Sequence, residues 1–474
     1  MEDAKLNINR PETPGNHKIL ILVTTSLSAF FAAFLTSGLN VALPSANQEF
    51  QADAILLSWV VTAYFLTIGL FQLPSGRLAD IIGIRKVFVI GLIIFGAAST
   101  LTIFTQSILM LIIGQVIRGL GGAMIFSNST AMVAAVFSER ERGRAFSINS
   151  AAVYGGFSTG PFIGGFLTEH LGWRSIFVLS AVFFLVLIIL FIWKIKDEWC
   201  QSRGEKFDTA GSIIYAISLV MLMYGFSVLP ETQGILLGLA GAAGLMVFLL
   251  WENRCRFPIL NVKIFRRNKN FILANLTTFL SYCAVAAVVF MMSLYLQYIL
   301  GFSAEQAGII LLCQPIMQII FSLVAGRLSV KIQPSRLSAM GMTLTLVGLL
   351  GLILLNSSTP LWYIIVTLIV LGAGYGLFAS PNSNAVMSSV VPRFFGIAAA
   401  TVGTMRALGQ IFSMAITMII INSVIGRAVI TPDNYPGFIT STKIAFVVFS
   451  LLCCAGVFTS LSQRKSLDPS SFSE

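Results

Sequence analysis

Apolar positions run along this chain in long blocks, and polar positions collect in short clusters between them. Fourteen blocks are visible, at residues 19–43, 55–79, 87–106, 108–137, 144–168, 174–196, 209–229, 234–251, 271–300, 304–329, 336–355, 361–391, 396–426 and 440–462. An α-helix needs about 20 mostly apolar residues to cross the hydrocarbon core of a bilayer, so each block predicts a spanning helix. The fold class expected is all-α integral membrane protein with fourteen transmembrane helices. ALPSA at 42–46 has the look of a signal-peptide cleavage site, but the first block is too long for a secretory signal core and predicts a retained helix.

Composition agrees with the pattern. Hydrophobic residues make up 56% of the 474 and charged residues 10%, with a mean hydropathy of +0.88, whereas a soluble domain carries about 25% charge. The basic residues predict the orientation. The two termini and every second loop hold 25 of the 30 Lys and Arg, and the intervening loops hold Arg174, Arg427 and Lys443. Because Lys and Arg accumulate on the cytoplasmic side, both termini are expected in the cytoplasm of a cell-membrane protein. The net charge of +11 follows from this bias and from anionic lipid headgroups, and no nucleic-acid partner is needed to account for it.

Little points to a cofactor, a metal or an enzyme. His17 and His170 lie outside the blocks, four of the six cysteines fall inside them, and Cys200 and Cys255 fall on the reducing side, so no disulfide is expected. No G-x-x-x-x-G-K-[ST] phosphate loop is present, which leaves a gradient or simple facilitation as the energy source.

The chain repeats itself. GRLADIIGIRK at 76–86 returns as GRLSVKIQPSR at 326–336, and FSNSTAMV at 126–133 returns as SPNSNAVM at 380–387. Both repeats keep the same polarity, as parallel halves about an axis along the membrane normal would. Offsets near 250 exceed the roughly 200 residues that six helices need, so two helices are inserted between the halves. The predicted organisation is a six-helix bundle at 1–200, a linker pair at 201–262 and a second six-helix bundle at 263–474.

With these features the sequence resembles the major facilitator superfamily, in its fourteen-helix drug:proton antiporter type typified by EmrB and QacA. The most specific match is Gly76-x-Leu78-Ala79-Asp80-x-x-Gly83-x-Arg85-Lys86, followed by the basic turn SERERGRA with Arg142 and Arg144, and by Gly156-x-x-x-Gly160-Pro161-x-x-Gly164-Gly165. The resemblance implies conformational gating for the first two and an antiporter-type packing motif for the third. It further implies a monomer that moves small amphipathic molecules outward by alternating access.

Departures from the family pattern qualify the coupling. Leu35 stands in FLTSGLNVALP (34–44) where proton-coupled members carry an acid, and no Asp or Glu falls at the middle of a block. The R-x-x-Q-G pattern is permuted, with Gln115 in the usual arginine position and Arg118 in the usual glutamine position. Arg118 and Arg406 are basic residues within blocks; embedded charges of this kind mark a pathway or bond to backbone carbonyls. If they line a cavity they favour an anionic or zwitterionic substrate. Asn40, Asn128, Tyr154, Phe157, Gln314, Asn382 and Gln410 are the other candidates for substrate or coupling contact. A second reading therefore stands beside multidrug efflux: a carrier or facilitator for one anionic metabolite, without carboxylate-based proton coupling.

Overall fold

The computed structural model describes residues 15–137, 139–200, 204–229, 231–255, 258–260, 268–329, 331–390, 395–426 and 429–463. The side chains of Arg142 and Arg144 lie outside the described residues, as do Arg393, Arg427 and part of the basic stretch between residues 256 and 267.

Among the described residues the secondary structure is helical, in fourteen spans: α1 (Gly15–Phe50), α2 (Ala54–Ile82), α3 (Ile84–Ile103), α4 (Ile108–Val136), α5 (Glu139–Leu171), α6 (Ser175–Lys194), α7 (Thr209–Val228), α8 (Thr232–Arg254), α9 (Lys269–Ile299), α10 (Ala304–Leu328), α11 (Pro334–Ile353), α12 (Leu361–Ser388), α13 (Phe395–Val424) and α14 (Tyr435–Leu461). Thirteen of them are long and apolar enough to cross a membrane by composition alone. The remaining one, α5, starts with the charged turn ERERGR and packs lengthwise between α1 and α10.

The polar residues that interrupt the apolar blocks act as helix caps. Asp53, Ser107, Asn268 and Ser303 each accept a hydrogen bond from a backbone N–H in the first turn of the next helix, and Ser303 with Gln306 forms a reciprocal capping box. Gly83 ends α2 at φ +121°, a conformation that a Cβ would strain, so the α2–α3 turn depends on glycine there.

One helix departs from its sequence pattern. The 271–300 block predicts an unbroken span, but α9 loosens at Ala286–Ala287 and closes with a π-helical turn at Tyr295–Ile299. The freed Ala287 N–H donates to Ser413 Oγ of α13 at 3.0 Å. A partner more than a hundred residues away therefore stabilises the break.

Packing follows the repeat. α4 packs on α2 and α3, and α3 on α6; likewise α12 packs on α10 and α11, and α11 on α14. The halves meet along two matching seams, α5 on α10 and α2 on α13, with α1 against the C-terminal part of α9. α7 leans on the α2–α13 seam, where Tyr215 donates its hydroxyl to Gly69 O at 2.9 Å. Hydrogen bonds between the halves gather at the end opposite the basic loops: Asn47 Nδ2 to Tyr298 Oη at 3.1 Å, Ser293 Oγ to Asn40 O at 2.8 Å and Gln297 Nε2 to Val41 O at 3.0 Å. Glu305 of α10 and His170 of α5 pair across the same end at 3.1 Å.

Candidate functional site

Where the two halves face each other, side chains from four helices converge. α5 supplies Tyr154, α9 supplies Thr278 and Tyr282, α12 supplies Phe378 and Asn382, and α13 supplies Arg406. The Arg406 guanidinium carbon lies 5.2 Å from the centre of the Tyr282 ring, and that ring meets Tyr375 edge-to-face at 5.7 Å. Arg406 also interacts with the Tyr282 hydroxyl and lies in the field of Tyr154 and Tyr375.

The cluster holds unused hydrogen-bonding capacity. Arg406 Nε has no partner, and neither does Asn382 Oδ1. The Asn382 amide donates to Thr278 Oγ1 at 2.7 Å and to Ala274 O at 3.2 Å, so its carbonyl is fixed in place as a free acceptor. A buried polar group left unpaired costs roughly 1–3 kcal/mol, which a ligand that pairs with it recovers. The site thus offers a charged donor, a neutral acceptor and aromatic faces, with no carboxylate among the described residues that line it. In this conformation it has room for about 10 Å³, one water molecule, so a larger ligand needs the seams to open.

A larger cavity of about 490 Å³ lies at the opposite end, between Pro44, Gln48, Trp173, Gln297 and Tyr298. Its rim is clamped within the first half. Glu49 accepts both terminal nitrogens of Arg174 at 2.6 and 2.7 Å and the Trp173 indole at 3.1 Å. Arg174 reaches further to the carbonyls of Ile103 and Thr105. The Glu49 contact holds the Arg174 guanidinium above its ordinary proton affinity, so this clamp stays charged at any physiological pH.

The structure separates the two embedded arginines. Arg118 is nearly completely buried inside the first bundle, with its guanidinium carbon 4.7 Å from the Tyr64 ring and 5.7 Å from both Phe95 and Phe177. Its surroundings are α2, α3 and α6, away from the Arg406 cluster. A buried, aromatic-boxed cation of this kind supports packing, and exchanging such a group for an apolar one of similar volume is often neutral. Arg118→Ala is expected to lower stability by about 3 kcal/mol through the cavity it leaves. Arg118→Met should recover most of that loss, and neither should change which ligands stabilise the protein in a thermal-shift assay. A ligand preference altered by Arg118→Met would place this residue in the pathway.

The remaining sequence candidates are scattered. Gln115 is buried with both amide atoms unpaired, one turn from Arg118. Asn40 and Gln314 are buried with a free carbonyl each, and Asn128 folds back on Met124 O at 2.7 Å. Phe157 and Gln410 are half-buried on α5 and α13, the helices that bear Tyr154 and Arg406. Tyr282 and Tyr375 were not singled out by sequence; a tyrosine deep in an apolar block, away from the membrane interfaces that it favours, is the signal that could have marked them.

The signature turn is held by its own half and by the start of the linker. Arg77 pairs with Glu205, Arg85 N–H donates to Glu198 at 2.9 Å, and Arg85 Nε donates to Ile195 O at 2.7 Å. A Cβ on Gly83 would collide with the Glu198 side chain. Asp80 is half-buried beside Arg77 and Glu205, Gly76 faces Ser127 of α4, and Lys86 is exposed. In α5, Gly156, Gly160 and Gly164 seat their backbone on α1 from Phe30 to Gly38, while Pro161 and Gly165 abut Gly308 and Ala304 of α10 in the other half.

Comparison with known sequences decides the family. The sequence profile of the Major Facilitator Superfamily matches residues 25–414 and 274–472. The chain belongs to this superfamily. Among its relatives are the quinolone resistance protein NorB of Staphylococcus aureus (strain Newman), 30% identical over 86% of this chain and 89% of the relative, and the methylenomycin A resistance protein of Bacillus subtilis (strain 168), 28% identical over 87% and 89%. The riboflavin transporter RibZ of Clostridioides difficile (strain 630) is 27% identical over 83% and 87%. A crystal structure of the peptide transporter POT in complex with sulfate superimposes with a TM-score of 0.67 over 92% of this chain and 94% of that one, at 15% identity, which is a likeness of fold alone. Superfamily membership makes this chain a membrane transporter of small molecules with two six-helix bundles and an inserted pair.

Proposed function

We propose that this transporter exports amphipathic small molecules across the cell membrane as a monomer with both termini in the cytoplasm, binding them at the Tyr154–Tyr282–Tyr375–Arg406 cluster. The observation that carries the reading is the unpaired Nε of Arg406, a residue that lines an aromatic-walled cleft at the meeting of the two halves. Efflux is supported by the drug-resistance relatives NorB and the methylenomycin A resistance protein, and orientation by the 25 to 3 division of basic loop residues. Alternating access then consists of closing the α5–α10 and α1–α9 contacts at the outer end while the site opens inward, followed by the reverse. The signature turn around Asp80 governs the inner end in this scheme, and residues 1–200, 201–262 and 263–474 act as bundle, linker and bundle.

A second reading is favoured by the absence of a carboxylate among the described residues of the cluster. Arg406 is a fixed cation there, and a proton carrier would need a titratable group. On this reading the chain is a carrier for one anionic aromatic metabolite, with coupling by another route.

Everted membrane vesicles test both, since their cytoplasmic face is outward. The expected result is uptake of an amphipathic fluorescent anion into the vesicles, with a C-terminal tag open to added protease. A protected tag sinks the orientation. Uptake of one compound from a broad panel favours the specific carrier, and no uptake of any sinks export.

A further inference from the structure

The linker pair holds a buried acid that the transport path does not use. Asp208 caps α7, and Glu252 sits at the far end of α8, with only 2% of its surface exposed. Asp208 accepts from two donors. Gly211 N–H reaches Oδ1 at 2.9 Å, and the Trp251 indole reaches Oδ1 at 3.3 Å and Oδ2 at 3.0 Å. Glu252 Oε2 accepts Leu260 N–H at 3.1 Å, while Oε1 has no partner.

The free oxygen lies near the other carboxyl group. A side-chain carbon on Gly211 would lie 2.5 Å from Asp208 Oδ2 and 2.8 Å from Glu252 Oε1, so both oxygens flank one point. The groups that face Glu252 are the Asp208 carboxylate from α7 and the backbone N–H groups of Ile259 and Leu260 from the following segment; its neighbour Arg254 on α8 is exposed. No cation balances the pair among the described residues. Two buried anions near one another repel, and a single proton converts the repulsion into a charge-assisted hydrogen bond. Asp208 already accepts from Gly211 and Trp251 while Glu252 Oε1 has no partner, so the proton belongs on Glu252.

We propose that Asp208 and Glu252 form a proton-binding site, with the proton on Glu252 Oε1 directed at Asp208 Oδ2. The site joins the start of α7, the end of α8 and residues 259–260, which lead toward the second bundle. It stands apart from the Arg406 cluster and does not depend on the substrate reading. Deprotonation restores the repulsion and loosens this corner. The stability that the proton contributes is therefore present at acid pH and lost as pH rises.

Thermal unfolding of the purified full chain, wild type against Glu252→Gln, tests this between about pH 5 and 9, the range over which buried carboxyl groups titrate. Glutamine keeps a donor toward Asp208 and an acceptor for Leu260. The expected result is that the wild type loses about 3–5 °C relative to Glu252→Gln as pH rises, while the two melt together at pH 5. If Glu252→Gln does not fold, Asp208→Asn serves: removing the facing charge should flatten the wild-type pH dependence. Glu252→Gln following the wild-type profile, or melting lower at every pH, overturns the proposal. So does a melting temperature that responds to sodium or potassium at constant ionic strength instead of to pH, which would mean a metal cation occupies the site.

Discussion

Arg406→Gln lowers affinity for an anionic aromatic substrate by about ten- to a hundredfold and leaves an uncharged analogue within about threefold. The factor follows from the worth of a hydrogen bond to a charged group, about 1.5–3 kcal/mol, at 1.4 kcal/mol per tenfold. Arg406 Nε has no protein partner, so a ligand that accepts from it breaks no hydrogen bond within the protein. Glutamine retains a donor but no charge, and it is shorter, so the ring contact with Tyr282 at 5.2 Å is lost as well. Equilibrium binding to the purified protein, with the two ligands side by side, measures the effect. Equal loss for both ligands would mean that Arg406 holds α13 to α9 and does not read the substrate. That outcome would remove the reason for preferring anions and leave broad efflux as the better description.

The sequence carried the helices further than the site. Blocks at 304–329 and 336–355 became Ala304–Leu328 and Pro334–Ile353, because Ser303 and Pro334 are start signals as well as interruptions of the apolar pattern. The first block, 19–43, understated α1 at both ends, since the helix runs on to Phe50 and places Asn47 against Tyr298 of the other half. The break in α9 left no local trace, because Ser413, which stabilises it, lies on another helix.

Helix rotation is what the sequence withheld at the site. Gln115 and Arg118 are three residues apart, about 60° around α4, and both read simply as polar groups in an apolar block. Only the packing of α4 on α2 and α3 sends Arg118 into the Tyr64, Phe95 and Phe177 box. Arg406 carried the same signal in sequence and reached the interface. Glu252 shows the converse: it was legible as a charged residue at a block end, but its burial depends on the chain folding back from 258 to 260 to cover it.

Gly160→Leu prevents stable folding, and Gly160→Ala lowers the melting temperature by about 3–10 °C. A Cβ at residue 160 would lie 2.7 Å from Phe34 O and 2.9 Å from Gly38 N, both backbone atoms of α1 that cannot rotate away. The helices must separate, and overpacking of this kind costs about 1–3 kcal/mol for a single methyl group. In a membrane the loss is serious, since helix association there rests on close packing more than on the hydrophobic effect. Gly155→Ala is the control. Its Cβ would meet only the Phe30 ring, at 3.5 Å, and should leave melting within about 1–2 °C of wild type. Gly165→Ala acts differently, because its Cβ would press on Ala304 O across the seam, at 2.5 Å. Each half can keep its fold while the seam opens, so the expected result is near-normal melting with greater labelling of a cysteine placed at Asn47, which is buried at the closed end. If Gly160→Ala and Gly155→Ala melt alike, α5 does not seat on α1 as described; if Gly165→Ala melts as low as Gly160→Ala with no gain in labelling, the α5–α10 seam is a fixed part of the fold and not a gate.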